Sequence, residues 1–224
     1  MTEKRIPSEL GTQPVGKLLK QYAIPSIVAM LASSLYNIVD SVFIGHGVDA
    51  LALSGLAVTF PLMNISTAFG AMVGMGSSTL ISVKLGQKDY GTAQQILGNA
   101  VVMNVVMGVI FGAIALLFLD PILYFFGASD ATISYAREYM QIILLGNVFT
   151  HLYFGFNALL RAIGHPKMAM RATIATVIIN TVLDPLFIFK EIDLGFVQFS
   201  GVGWGIKGAA VATILAQCIS LAWQ

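Results

Sequence analysis

Six long apolar stretches dominate the sequence and leave it few ways to fold other than across a lipid bilayer. A membrane-spanning helix needs about 20 apolar residues. Only 10% of the 224 residues are charged, against about 25% in a soluble domain. Segments of about ten residues with alternating polarity, typical of a membrane barrel, are absent. The sequence therefore predicts an all-α integral membrane protein with spans at Tyr22–Ile44, Leu53–Val83, Ile96–Leu119, Ser134–Leu159, Met168–Phe189 and Ile206–Gln224.

Two of these stretches differ from an ideal span. The second carries no charge between Asp49 and Lys84 and is too long for one straight helix, so we expect a bend at Pro61 or a start along the membrane surface. The sixth reaches Gln224 without a polar flank, and we expect the sequence to be truncated at or near the end of helix six. The predicted domains are an arm, residues 1–21, and a six-helix transmembrane lobe, residues 22–224.

The distribution of basic residues predicts the orientation in the membrane. Nine Lys and Arg residues fall on the side of the arm and three on the other. The N-terminus is therefore predicted to lie in the cytoplasm, and the protein is predicted to span the cytoplasmic (inner) membrane. Within the arm, the spacing of Val15, Leu18, Leu19 and Tyr22 predicts either an interfacial helix or an early start of the first span. The net charge of +1 argues against a nucleic-acid partner.

Two acidic residues, Asp40 and Asp184, lie inside predicted spans. An ionised group at membrane depth costs at least about 2.5–3.5 kcal/mol, so it is by default a functional candidate. The alternative is a hydrogen-bonded anchor between helices. At about 1.5 Å per residue, both lie roughly 7–9 Å from the outer ends of helices that run in the same direction. The two carboxylates are therefore expected to share one layer.

Several polar residues are predicted to lie in this layer or on the same helix faces as the acids. They are Tyr36 and Asn37 on the first span, Asn180 on the fifth, Tyr139 on the fourth and Thr213 on the sixth. Each residue alone could simply link two helices. Together they predict a cavity rich in oxygen atoms.

Two prolines are candidates for bending helices beside this cavity. Pro185 removes the N–H that would bond the carbonyl of Thr181 and so frees a cation ligand. Pro25 could bend the first helix, or it could be an ordinary proline of an early turn. We expect the site to exchange H⁺ or Na⁺ against a small organic cation, and to need no cofactor besides the coupling ion. Asp40, Asn180 and Asp184 would bind the metal ion if sodium is used.

Other signals in the sequence are weak. Gly203–Gly208 matches G-x-G-x-x-G but follows no strand of a βαβ unit. The three histidines lack metal-site spacing, and no enzyme motif occurs, so we expect no catalytic activity. Gly70-xxx-Gly74 and Gly108-xxx-Gly112 predict tight helix packing.

Four segments resemble the multidrug and toxic compound extrusion (MATE) transporters. Tyr36–Gly45 resembles the first-helix motif of that family, and Leu159–Lys167 its fourth-to-fifth loop. Asn180–Phe189 is similar to its fifth helix, and Gly208–Thr213 to the start of its sixth. The resemblance covers nearly the whole chain.

The resemblance implies an antiporter for drugs and organic cations, built from two six-helix lobes with twelve helices in all. In this family the amino-terminal lobe carries an acidic cation site, which maps to Asp40, Asn180 and Asp184, with Tyr139 and Thr213 beside them. The carboxy-terminal lobe is the missing partner. Polar residues that it would cover are expected on the second span at Asn64, Ser66 and Thr67, although each could instead bond a neighbouring helix.

Two alternative functions use the same residues. A lipid-linked oligosaccharide flippase of the same superfamily would line its cleft with Lys and Arg, and no Lys or Arg lies at the bilayer centre here. An intramembrane aspartyl protease would pair two aspartates. Its motifs, Tyr-Asp and Gly-x-Gly-Asp, differ from Val39-Asp40 and Leu183-Asp184-Pro185.

Overall fold

The computed structural model describes residues 13–193 and 198–224. Helices form almost all of this part of the chain, and one short antiparallel hairpin joins the last two helices. The helices are α1 (Val15–Gly47), α2 (Ala50–Gly86), α3 (Tyr90–Leu117), α4 (Leu119–Phe125), α5 (Ile133–Leu145), α6 (Asn147–Ala162), α7 (Pro166–Ile188) and α8 (Ile206–Trp223), and the strands are β1 (Glu191–Asp193) and β2 (Gln198–Ser200).

Six membrane spans can be assigned within the described residues. The helices α1, α2, α3, α7 and α8 are each long and apolar enough to cross a bilayer, and α5 with α6 forms a sixth, bent span. The predicted all-α bundle of six spans is therefore confirmed. Their length and hydropathy follow directly from the apolar stretches of the sequence.

The fourth span differs from the single helix predicted over Ser134–Leu159. It breaks at Gly146, and its halves α5 and α6 meet at an angle of 62°. A Cβ atom at Gly146 would lie 2.6 Å from the side chain of Ile214 on α8. The break thus depends on a residue without a side chain, because Ile214 fills the space beside it.

The ends of the other helices also refine the prediction. Helix α1 begins at Val15 and continues without interruption into the first span, so residues 15–21 extend that span and do not form a separate helix. Helix α2 is uninterrupted over 37 residues with Pro61 inside it. The third span ends at Leu117, and the short helix α4 follows. The side chain of Asp89 caps α3 by accepting a hydrogen bond from the backbone N–H of Thr92.

Glycines allow α2 and α3 to approach the bent span closely. A Cβ atom at Gly74 would lie 2.7 Å from Cα of Gly155, and one at Gly70 would lie 2.9 Å from Cα of His151. On α3, a Cβ atom at Gly108 would lie 3.0 Å from Cα of Val148. The prediction of tight packing at the two G-x-x-x-G pairs is confirmed. We call this contact, formed by Gly70, Gly74, Gly108, Gly112 and Gly155, the glycine seam.

Candidate functional site

Asp40 and Asp184 are both withdrawn from solvent in the bundle. Asp40, on α1, is 5% exposed, and Asp184, on α7, is 0% exposed. The two carboxylates are close enough to interact electrostatically. The structure therefore brings together the two intramembrane acids that the sequence singled out.

Hydrogen bonds connect three helices around these acids. On α7, the Asn180 amide donates to Asp184 Oδ1 at 3.0 Å and to Thr213 Oγ1 of α8 at 3.5 Å. The hydroxyls of Tyr36 on α1 and Thr213 lie 2.9 Å apart. Asn180 and Asp184 are four residues apart on one helix, which places their side chains on the same face. We call Tyr36, Asp40, Asn180, Asp184 and Thr213 the acidic cluster.

Of the two remaining predicted site residues, one lies beside the cluster and one does not. Tyr139, on α5, is 1% exposed, lies beside Thr213 and is within electrostatic range of both acids. Asn37 is exposed, in contrast to its expected place in the cavity. At about 100° per residue, a separation of three positions leaves Asn37 and Asp40 about 60° apart around α1, which turns Asn37 away from the cluster.

Three buried oxygen atoms of the acidic cluster accept no hydrogen bond within the described residues. They are Asp40 Oδ1, Asn180 Oδ1 and Asp184 Oδ2. A buried polar atom without a partner costs about 1–3 kcal/mol, and three in one place indicate room for a positively charged or hydrogen-donating group. Carboxylate, amide and hydroxyl oxygens suit a hard cation, so the residues fit either a proton or Na⁺.

The two candidate bending prolines lie inside helices. Pro185 directly follows Asp184 within α7, and its missing N–H leaves the carbonyl of Thr181 without its usual helical donor. Pro25 is buried ten residues after the start of α1. The alternative of a proline in an early turn is therefore wrong for Pro25.

A second buried polar cluster lies at the break between α5 and α6. The Ser66 hydroxyl of α2 donates to Asn147 Oδ1 and lies 3.2 Å from His151 Nε2. Asn147 Nδ2 donates to the carbonyl of Gly108 on α3 at 3.1 Å. We call Ser66, Asn147 and His151 the bend cluster. The signal for it in the sequence is the pair Asn147 and His151, four residues apart, directly after Gly146.

The bend cluster decides the place of Ser66 on α2. Ser66 was expected on a face that a second lobe would cover, but it is 3% exposed and bonded inside the bundle. Asn64 is exposed as expected. The Thr67 hydroxyl donates to the Asn64 carbonyl of its own helix, so it links no neighbouring helix.

Comparisons with known proteins agree with one another. The MatE family model matches residues 25–186 of the chain. The chain is 31% identical over 204 residues to the multidrug export protein MepA of Staphylococcus haemolyticus, covering 91% of the chain and 43% of that protein. It is 32% identical over 199 residues to MepA of Staphylococcus aureus, covering 89% of the chain and 44% of that protein.

A solved structure gives the same result in three dimensions. The MATE multidrug transporter DinF-BH superposes with a TM-score of 0.84 at 33% identity. The match covers 99% of the chain described here and 47% of that transporter. The chain thus spans less than half the length of the relatives that it matches.

Proposed function

The chain belongs to the MatE family, and from this premise we propose that it is the cation-binding, amino-terminal lobe of an antiporter that exports small organic cations. The coupling ion is H⁺ or Na⁺. The N-terminus lies in the cytoplasm, and the lobe spans the inner membrane. The names of the relatives describe multidrug export, which supports export of drugs by the whole transporter.

The observation that carries this proposal is the set of unpartnered oxygens in the acidic cluster. A purely structural cluster would be expected to satisfy its buried acceptors. Here Asp40 and Asp184 share a buried site whose spare oxygens come from α1 and α7. Binding of a coupling cation gives these oxygens a positive partner and offsets one negative charge of the pair. Its release leaves two adjacent acids that favour the arrival of another cation.

A second lobe completes the transporter in this proposal. Alternating access requires two units that move against each other around a site at their interface. The share of the relatives that the chain covers supports one such unit. Asn64, a polar residue exposed on a helix that is otherwise strongly apolar, supports a surface that the second lobe covers. We therefore expect residues 1–224 alone to export no substrate.

The test is export of a fluorescent organic cation from vesicles that contain the lobe joined to its carboxy-terminal half. A Na⁺ gradient and a pH gradient are applied separately. We expect Asp40→Asn and Asp184→Asn each to remove gradient-driven export, because an amide cannot release and rebind a proton and holds Na⁺ weakly. Asp49→Asn, which changes an exposed acid beside α2, is the matched control and should export normally. Export at the wild-type rate by Asp40→Asn would overturn the proposal.

A further inference from the structure

An open groove lies at the end of the bundle where α1 and α7 begin. Its volume is about 490 Å³. Lys17 and Lys20 of α1 and Lys167 of α7 line it, together with Gln13 and Gln21. Its apolar lining comes from Ile24 and Pro25. We call this feature the lysine groove. It is separate from the acidic cluster, since Pro25 and Asp40 are 15 residues apart on α1, about 22 Å along the helix axis.

The sequence of α1 explains why these residues share one side of the helix. Lys17 and Gln21 are four residues apart, as are Lys20 and Ile24, and Lys17 and Lys20 are three apart. Residues at this spacing lie on one helix face. Lys167 is the second residue of α7 and follows Pro166, which starts that helix. The first turn of a helix carries unpaired N–H groups and a partial positive charge, which add to the charge of the lysine.

The lysines of the groove differ in their partners from the lysines elsewhere in the described chain that form ion pairs. Lys84 pairs with Asp89 at 3.6 Å, and Lys207 pairs with Glu138 at 3.4 Å. No ion pair or side-chain hydrogen bond to the ammonium group of Lys17, Lys20 or Lys167 is formed by the described residues.

Among the described residues, no acidic residue lines the groove. Three like charges around one concave surface repel one another unless an anion neutralises them.

The chemistry of the lining indicates what this anion is. Lys ammonium groups are strong phosphate binders, and basic pockets between membrane helices at the membrane surface bind anionic lipid headgroups. The lysines lie at the starts of two membrane-spanning helices, which is the level of the lipid phosphates. The apolar lining at Ile24 and Pro25 suits the upper part of an acyl chain, which a free phosphate ion does not have.

From this arrangement we propose that the lysine groove binds the phosphate headgroup of an anionic phospholipid between α1 and α7. The lysines hold the phosphate, and the first acyl carbons lie against Ile24 and Pro25. Inorganic phosphate shares the charge of this headgroup but lacks the apolar part. The two sources of phosphate therefore make different predictions.

The test is native mass spectrometry of the delipidated chain titrated with phosphatidylglycerol or with phosphatidylcholine of the same acyl chains. We expect preferential retention of phosphatidylglycerol, weakened at least about tenfold in Lys17→Gln/Lys20→Gln and further by Lys167→Gln, because each lysine contributes to the attraction. Lys84→Gln/Lys88→Gln removes two charges outside the groove and is the matched control, which should bind normally. The charge-conserving Lys17→Arg/Lys20→Arg should also retain the lipid.

Three results would overturn the proposal. The first is equal retention of both lipids by the wild-type chain. The second is an equal loss of binding in the groove variant and in its control, which would indicate attraction to the overall charge. The third is displacement of phosphatidylglycerol by inorganic phosphate at equal concentration, which would assign the groove to the free ion. Size-exclusion chromatography of every variant checks that a loss of lipid does not reflect a loss of folding.

Discussion

The bundle contains two buried polar clusters, and they satisfy their polar atoms in different ways. The bend cluster has no acid, and the amide of Asn147 uses both its oxygen and its nitrogen in hydrogen bonds to Ser66 and the Gly108 carbonyl. Among the described residues, only Nδ1 of His151 is left unpartnered in this cluster. The acidic cluster contains two carboxylates and leaves three oxygens unpartnered among the described residues. An uncharged cluster whose amide bonds two other helices holds helices together, whereas a cluster with two carboxylates and three spare oxygens can bind and release a cation.

The helices around the two clusters also differ in how tightly they are packed. The bend cluster lies beside the glycine seam, where the backbones of neighbouring helices are in direct contact. Any separation of these helices breaks that contact. The acidic cluster involves α1, whose buried residues number only four in 33, namely Pro25, Ala29, Asp40 and Ile44. We infer that the helices joined by the glycine seam are the rigid part of the bundle and that α1 is freer to move.

The largest effect is expected from breaking the seam. Gly74→Leu would place its side chain against the backbone of Gly155, where even a Cβ atom is too close. Overpacking of this kind costs about 1–3 kcal/mol or more, and here backbone must move. We expect loss of monodisperse protein in size-exclusion chromatography. Gly76→Leu, two residues along the same helix and facing open space, should purify normally; equal behaviour of the two variants would contradict the seam.

Much of the fold could be predicted from the sequence. The length of the apolar stretches determines the six spans, which were predicted correctly. The cost of intramembrane charge singles out Asp40 and Asp184, and the structure buries both; their role in cation binding stays a prediction. The glycine pairs were also interpreted correctly, since small residues at this spacing have few uses other than close packing. These features depend on local composition, which a single sequence displays directly.

The features that the sequence did not predict depend on contacts between distant segments. The break at Gly146 requires Ile214 of α8 to fill the space beside it, and nothing near Gly146 in the sequence indicates that contact. For Ser66 the sequence left open a face covered by a second lobe and a bond to a neighbouring helix, and it could not decide between them because the partner Asn147 is 81 residues away. Asn37 was misplaced because two residues at helical spacing share a face only approximately.

The next effect tests the acidic cluster through ion binding. A cation that binds only the folded chain stabilises it by about 2.7 kcal/mol at 100 times its dissociation constant. We expect Na⁺ or acidification to raise the melting temperature of the wild-type chain, and expect Asp40→Asn to remove that rise. Asn147→Ser, in the bend cluster, should keep it. A rise that persists unchanged in Asp40→Asn would mean that the ion binds elsewhere.

A smaller effect is expected from removing the hydrogen bonds of the bend cluster. Asn147→Leu removes the partner of Ser66 and of the Gly108 carbonyl. Hydrogen bonds between membrane helices contribute about 0.6–1.7 kcal/mol each, so we expect a loss of stability of about 1–3 kcal/mol in thermal unfolding. Asp184→Asn, which keeps an oxygen to accept from Asn180, should lose less. If Asp184→Asn were the more damaging variant, the acidic cluster would be the structural one of the two.

The smallest effect concerns an acid outside both clusters, which shows how a paired, exposed carboxylate behaves. Arg137 donates hydrogen bonds at 2.7 Å to both oxygens of Asp120, and these bonds hold the pKa of Asp120 below its usual range. Since the folded chain then binds fewer protons than the unfolded chain, the pair stabilises fully above the ordinary Asp pKa of about 3.9. This contribution is lost as the pH falls through the lower folded value.

An exposed pair contributes little, so Asp120→Asn should lower the melting temperature by about 1–3 °C at pH 7. The difference from wild type should shrink at pH 3. A difference that grew on acidification would mean that Asp120 is stabilised in its protonated form, contrary to its pairing with Arg137.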